Sequence, residues 1–183
     1  VLFLARLHPR KRVRDFIEMA RICGDRGVDA TYSVVGPDGG ELNDLLAAVD
    51  QVPNLTYEGS VPHAAARQRM AESQVYVLPS VDEPFPMTVL EALSIGLPAV
   101  ITTETGVSRR LSDGSSGASV VPPGPSTLAD AVTRLLQDRP AWLTESATAQ
   151  QSSERLFGPQ ALRDELKAAY RTAGLEIAWE PQR

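Results

Sequence analysis

Two carboxylates eight positions apart, Glu83 and Glu91, frame the segment EPFPMTVLE. Glu83 falls in a loop rich in proline, and Glu91 falls early in the helix that the pattern predicts next. Pro86 suits the first turn of that helix, where its missing N–H has no partner to lose. The unpaired N–H groups and the positive end of the helix dipole favour an anion such as a phosphate there. A side chain in the first turns leans back toward the helix start, so Glu91 can reach the same place. An anion site with one acceptor on each side suits a phosphate carrying hydroxyl groups, as on a ribose or a hexose. The residue types alone leave a second reading: acidic residues near a helix start compensate its dipole, and a loop Glu can simply be solvated.

The second constellation is ARLHPRKRVR, with Arg6, Arg10, Lys11, Arg12 and Arg14 in a row of nine positions. An Arg where a strand ends and a Lys where a helix begins can converge on a diphosphate, one as a planar fork and the other as a point charge. Arg10, Arg12 and Arg14 fit a solvated face better. Arg6 follows VLFLA directly, where a charge without a partner is poorly tolerated, and this predicts a partner for it. The loop Gly36–Gly40, GPDGG, permits close backbone approach by a ligand. It is not the G-x-G-x-x-G fingerprint, which argues against a nicotinamide dehydrogenase, and no phosphate-cradling G-x-x-x-x-G-K-[ST] occurs. His8 and His63 lack metal-ligand spacing and read as loop or helix-start residues. Cys23 falls on the apolar stripe of a helix and reads as packing.

These groups need a scaffold. Apolar runs predict strands at Val1–Leu7, Thr31–Gly36, Leu55–Gly59, Val75–Pro79, Ala99–Thr103 and Ala118–Val121. Helical periodicity lies between them: from Val13 to about Asp25, over Glu41–Val49, over His63–Glu72 and from Pro86 to Ile95, with a short turn at Ser108–Leu111. Ser126 is the expected cap of a further helix reaching Gln137. Residues 141–174 read as two more helices, with Trp142 and Trp179 packing on a neighbour. Strand and helix in alternation predict an α/β domain, a doubly wound parallel sheet over residues 1–140, with a helical C-terminal extension over 141–183. In such sheets ligands sit outside the carboxyl ends of the strands. The informative loops are therefore Ala5–Arg12, Gly36–Gly40, Gly59–Pro62, Pro79–Phe85, Thr103–Arg109 and Pro122–Gly124.

Composition narrows the classes. The 183 residues suffice for one sizeable core, and 43% hydrophobic content suits a globular domain. A net charge of −5 argues against nucleic acid as partner. One cysteine excludes an internal disulfide framework and fits a reducing compartment. No apolar run approaches the roughly 20 residues of a membrane span. The chain opens inside an apolar run without a Met, as part of a longer protein would.

Taken in order, these pieces resemble the large retaining GT-B glycosyltransferase family known as glycosyltransferase group 1. The likeness runs from about Val1 to Gln137. ARLHPRKR resembles its G-R-L-x-x-x-K-G segment, and SVVGPDGGELNDLL its strand–G-x-G–helix segment. NLTYEGSVPHAAARQRMAESQVYVLPS resembles its N-V-x-F-x-G-x-V to P-S run. DEPFPMTVLEALSIGLPAVIT resembles its E-x(7)-E segment, and SDGSSGASVVPPGPSTLADAVTRLL the stretch that closes the nucleotide domain.

The resemblance implies a Rossmann-like domain, the second and donor-binding one of two in a GT-B enzyme. It implies transfer of a sugar from a nucleotide-diphosphate sugar to an acceptor hydroxyl, with retention at the anomeric carbon. Arg6 and Lys11 would hold the diphosphate, and Glu83 would face the transferred sugar. Glu91 would bind the ribose hydroxyls. Backbone N–H groups of Phe85, Met87, Thr88 and Val89 would contact sugar and phosphate. Gly36 and Asp38 would line the nucleotide side, and Val61 the base. No cofactor and no metal is implied, and no Asp-x-Asp cluster stands beside the phosphate site. The remaining partner would be a missing N-terminal acceptor domain, on which the tail after Leu156 would pack. The family also implies a cytoplasmic protein, with any contact at the inner face of the membrane made through that missing domain. Two alternatives accompany this reading: a module that binds a nucleotide sugar without activity as an isolated fragment, and a GT-B nucleotide-sugar epimerase, for which two unclustered histidines are poor acid–base material. The chain departs from the family pattern at Ala5 and Pro86, both at positions that usually hold Gly. Pro84 and Pro86 offer no N–H, which leaves fewer donors for the sugar.

Overall fold

The computed structural model describes residues 1–175, so Trp179 lies outside the described residues. Six short strands form one wholly parallel sheet: β1 (Leu2–Leu4), β2 (Tyr32–Val35), β3 (Leu55–Tyr57), β4 (Tyr76–Leu78), β5 (Ala99–Thr102) and β6 (Ala118–Val121). Their order across the sheet is β3-β2-β1-β4-β5-β6. The connecting helices are α1 (Val13–Asp25), α2 (Leu42–Val49), α3 (His63–Ala71), α4 (Met87–Ser94), α5 (Ser108–Leu111) and α6 (Pro125–Gln137). The chain thus has the doubly wound, Rossmann-like architecture that the alternation predicts. Strands β1, β2, β4 and β5 are buried throughout because helices cover both faces, which is why they read as unbroken apolar runs. Helix α1 lays Val13, Phe16, Ile17, Ala20 and Cys23 on the sheet, with Phe16 tilted against Phe3 at 5.6 Å.

The winding reverses between the neighbours β1 and β4. The crevice in which doubly wound sheets hold ligands lies at this switch point, outside the carboxyl ends of the strands. The loops after β1 and β4 are the two that carry the basic cluster and Glu83.

Two more helices follow, α7 (Arg139–Phe157) and α8 (Pro159–Thr172). Helix α7 packs on α4 and α6. Ala149 is fully buried there, and a Cβ added to Gly117 would come within 2.4 Å of it. Ser146 donates to the Gly96 carbonyl at 2.7 Å, and Ser152 to the Ser115 carbonyl at 2.8 Å. Trp142 packs on the core and donates from Nε1 to the Gln74 carbonyl at 2.7 Å. No residue of α8 is buried, and Leu162, Leu166 and Tyr170 form an exposed row on it. Among the described residues no helix is long and apolar enough to cross a membrane.

Three local expectations need correction. The first strand stops at Leu4 rather than Leu7. Beyond Leu4 the chain follows the loop after β2 instead of a strand: Ala5 N–H bonds the Val35 carbonyl and Leu7 N–H the Pro37 carbonyl. Ser126 does not cap α6; the helix starts at Pro125 with Gly124 as the cap residue. A proline already has the φ of a first helical turn, so it sets the start one residue earlier. Arg6 is exposed rather than partnered in the interior, because the buried strand has ended before it.

Candidate functional site at the switch point

The loop after β1 turns through a short 3₁₀ helix, Pro9–Lys11, before α1. His8 serves that turn: its Nδ1 accepts from Arg10 N–H at 3.2 Å. Arg12 takes a left-handed φ of 52° and pairs with Asp15, while Arg14 pairs with Glu41 and Asp44. These two arginines are thus spent on pairs with neighbouring carboxylates, and Arg10 is exposed. Lys11 is different. It crosses the crevice and donates from Nζ to the Glu83 carboxylate. Their side chains are 21% and 13% exposed, so the pair sits half withdrawn from water. An ammonium has three N–H donors, and two remain for a second anion.

The Glu83 loop is pinned from several sides. Val81 N–H bonds the Arg10 carbonyl at 2.9 Å, which ties the two crevice loops together. The Glu83 carbonyl accepts from Gly106 N–H at 2.7 Å, in an isolated bridge between Glu83 and Thr105. A Cβ at Gly106 would lie 1.9 Å from the Pro84 carbonyl oxygen, so only glycine allows this approach. Asp82 adopts φ 50°, and prolines at 84 and 86 stiffen the run into α4.

Helix α4 begins at Met87, with buried Pro86 at the cap position and no capping side chain. Val89 N–H is taken up by the Pro86 carbonyl at 3.0 Å, whereas the N–H groups of Phe85, Met87 and Thr88 have no acceptor among the described residues. The family resemblance implied all four as donors; Val89 is buried and its N–H is used by the first turn. The Thr88 hydroxyl lies 2.7 Å from the Tyr76 phenol, which also bonds the Leu4 carbonyl at 3.0 Å. Burial drives the Tyr76 phenol well above its ordinary pKa, and the nearby charges of Glu91 and Glu83 push the same way. Tyr76, Glu83 and Glu91 thus lie near one another beside α4. Glu91 is partly exposed on the second turn, and its carboxylate has no hydrogen-bond or ion-pair partner among the described residues.

On the other side of β1, Gly36 must be glycine: its φ is 152°, and a Cβ would sit 1.8 Å from the Ala5 carbonyl oxygen. Arg6 lays its aliphatic stem against Gly39, where an added Cβ would meet its Cγ at 2.9 Å. Asp38 accepts from Gly40 N–H at 2.8 Å and Leu42 N–H at 3.3 Å. These bonds, Gly40's first, hold its carboxyl below the usual range. Its carboxylate is thus occupied in shaping the loop. Val61 is partly buried in the loop after β3.

Arg6, Lys11, Glu83, Gly36 and Asp38 come from loops at the carboxyl ends of β1, β2 and β4, and Glu91 and Thr88 from α4. Gly106 and Tyr76 were not legible as contributors. Gly106 had one signal, a glycine in the loop after β5. The arrangement combines cations, free helix-start donors and two carboxylates in one crevice, which suits an anion bearing hydroxyls.

Residues 1–138 match the sequence profile of the family described as "Glycosyl transferases group 1". An alpha-D-kanosaminyltransferase of Streptomyces kanamyceticus is 29% identical over 96% of this chain and 46% of its own length. A D-inositol 3-phosphate glycosyltransferase of Frankia alni is 30% identical over 94% of this chain and 45% of its own. The chain therefore spans less than half of these relatives. Among solved structures, Anabaena Alr3699/HepE in complex with UDP superposes with a TM-score of 0.77 at 20% identity, over 95% of this chain and 48% of that one. S. aureus TarM, in a complex that includes UDP, gives 0.77 at 16% identity, over 91% of this chain and 34% of that one. These likenesses carry the fold, that of a Rossmann-like GT-B domain. With the family profile matching residues 1–138 of 183, the chain belongs to the group 1 glycosyl transferases.

Proposed function

We propose that this chain is the donor-binding half of a retaining, metal-independent glycosyltransferase that moves a sugar from a nucleotide-diphosphate sugar to an acceptor hydroxyl. One observation carries the reading: Lys11 and Glu83 meet across the switch-point crevice beside a helix start whose Met87 and Thr88 N–H groups lack acceptors among the described residues. The diphosphate lies between Arg6, the two remaining Lys11 donors and the start of α4. Glu91 receives the ribose hydroxyls, and Gly36 and Val61 line the nucleotide. Asp38 shapes that wall through its loop bonds. Glu83 faces the sugar.

In the reaction the bond from the anomeric carbon to the diphosphate oxygen breaks, and its electron pair leaves with the nucleotide. The acceptor oxygen bonds the same carbon on the face that the diphosphate leaves, which retains the configuration, and its proton passes to the departing diphosphate. Charge grows on the diphosphate as that bond breaks, so fixed cations and N–H dipoles stabilise the transition state more than the ground state. The acceptor site belongs to a preceding domain, and α8 is the part of the C-terminal extension that meets it. The exposed row Leu162, Leu166 and Tyr170 on α8 faces that domain. That the relatives extend over more than twice this length supports the division, and supports binding without turnover by the chain alone. The protein works in the cytoplasm, and any membrane contact is made through the preceding domain.

Calorimetric titration of the chain with UDP, GDP and ADP, repeated on Glu91→Ala and Arg6→Ala, tests this. The proposal expects saturable binding of one nucleotide, weakened in both variants. No binding of any of the three, or binding indifferent to both substitutions, overturns it.

A further inference from the structure

Phe157 closes α7, and its ring packs edge-on against Phe85 with centroids 6.2 Å apart and planes at 74°. The Arg110 guanidinium lies 5.6 Å from the centre of the same Phe157 ring. Arg110 also bonds Glu165 on α8 and reaches the Leu156 carbonyl at 3.5 Å. Phe157 is thus held by the polypeptide's own elbow between α7 and α8, and it is partly buried against the core. Phe85 is 51% exposed, so its ring depends on few neighbours for a fixed place.

The backbone shows why that place matters. Phe85 stands between two prolines. Pro84 has its φ fixed, and Pro86 drives the ψ of Phe85 to extended values. The Glu83 carbonyl is anchored to Gly106 N–H. The plane of the Pro84–Phe85 peptide, whose N–H has no acceptor among the described residues, then turns mainly on the ψ of Pro84 and the φ of Phe85. Holding the Phe85 ring holds the Cα end of that peptide, and so limits how far the loop can carry the Phe85 N–H.

We propose that Phe157 is a positioning residue for the donor sugar, acting through the Phe85 ring to aim the Phe85 N–H. The proposal rests on the donor-site reading above. It makes the C-terminal helices part of the sugar subsite without touching the sugar. Arg110 and Glu165 brace the ring from behind, and they link α8 to the same loop.

The test separates sugar from nucleotide. Calorimetry compares UDP with UDP-glucose, GDP with GDP-mannose and ADP with ADP-glucose, taking whichever pair the chain binds. It is run on wild type, Phe157→Ala, Phe157→Tyr and Phe85→Ala. An aromatic pair of this geometry corresponds to roughly a 3- to 10-fold change in affinity. Phe157→Ala should weaken the sugar conjugate by that factor and leave the free diphosphate within about twofold. Phe157→Tyr should restore it. Phe85→Ala, at an exposed side chain that the core does not need, should repeat the loss if Phe157→Ala fails to fold. Equal weakening of both ligands, or no change in either, overturns the positioning role while leaving the donor site standing. So does a wild type that binds a diphosphate but none of these conjugates. A wild type that binds neither member of any pair overturns the donor-site reading and this proposal with it.

Discussion

Replacing Gly106 by alanine should loosen the Glu83 loop, and the size of the effect comes from contact distances. The new Cβ would lie 1.9 Å from the Pro84 carbonyl oxygen. That is about 1.5 Å short of ordinary contact, and the obstacle is backbone, which cannot swing aside as a side chain can. Either the loop retreats or the 2.7 Å bond from Gly106 N–H to Glu83 breaks. Overpacking of this kind costs about 1–3 kcal/mol, and the lost bond about 1 kcal/mol more. A loss of about 2–4 kcal/mol lowers Tm by roughly 5–15 °C in a domain of this size. Gly24 provides the control. It lies in α1 with no atom within 4 Å of an added Cβ, so the same substitution should stabilise by about 0.5–1 kcal/mol. Thermal denaturation by circular dichroism reads both. Two Gly→Ala variants with equal Tm values would refute the steric argument and with it the claim that Gly106 fixes Glu83.

Other consequences rest on similar contacts. Lys11→Ala removes a charged donor from the crevice and should weaken diphosphate binding about 10- to 100-fold by calorimetry, in line with roughly 1.5–3 kcal/mol for such a bond. Gly117→Ala should drive a methyl into Ala149, at 2.4 Å, and lower stability by about 1–3 kcal/mol in urea melts. The Glu58 carboxyl is held below its ordinary value of 4.5 chiefly by two bonds from Arg69, each 2.7 Å. As pH falls the unfolded chain takes up that proton first, so the pair's contribution is present above about pH 4.5 and lost as pH drops through the folded value. With side chains 31% and 22% exposed, it amounts to only about 0.5 kcal/mol. The stability gap between wild type and Glu58→Gln should therefore exist at pH 7 and close below pH 4.5.

Much of the scaffold was legible because its signals are local. Unbroken apolar runs mark strands buried on both faces, and the stripe from Val13 to Cys23 marks one face of α1. Glu83, Lys11 and Glu91 stood out by residue type at the strand ends where this architecture puts ligands. The misreadings depended on distant chain. Ala5 and Leu7 continue the apolar run past Leu4, yet they bond the end of β2 and the loop after it, which no window around them reveals. The demand for glycine at position 106 comes from the Pro84 carbonyl, and the role of Phe157 from a ring in another loop. The expectation of a buried partner for Arg6 failed for the same reason, since it presumed that the strand continued. The Val89 N–H failed through helix geometry instead: a first-turn bond back to Pro86 consumed it.

The most direct measurement is a crystal structure of this chain with the nucleoside diphosphate that binds it. The account predicts the diphosphate at the start of α4, within hydrogen-bond reach of Lys11 and Arg6, and the ribose hydroxyls on the Glu91 carboxylate. A nucleotide bound elsewhere on the domain, or one whose ribose lies away from Glu91, would contradict it.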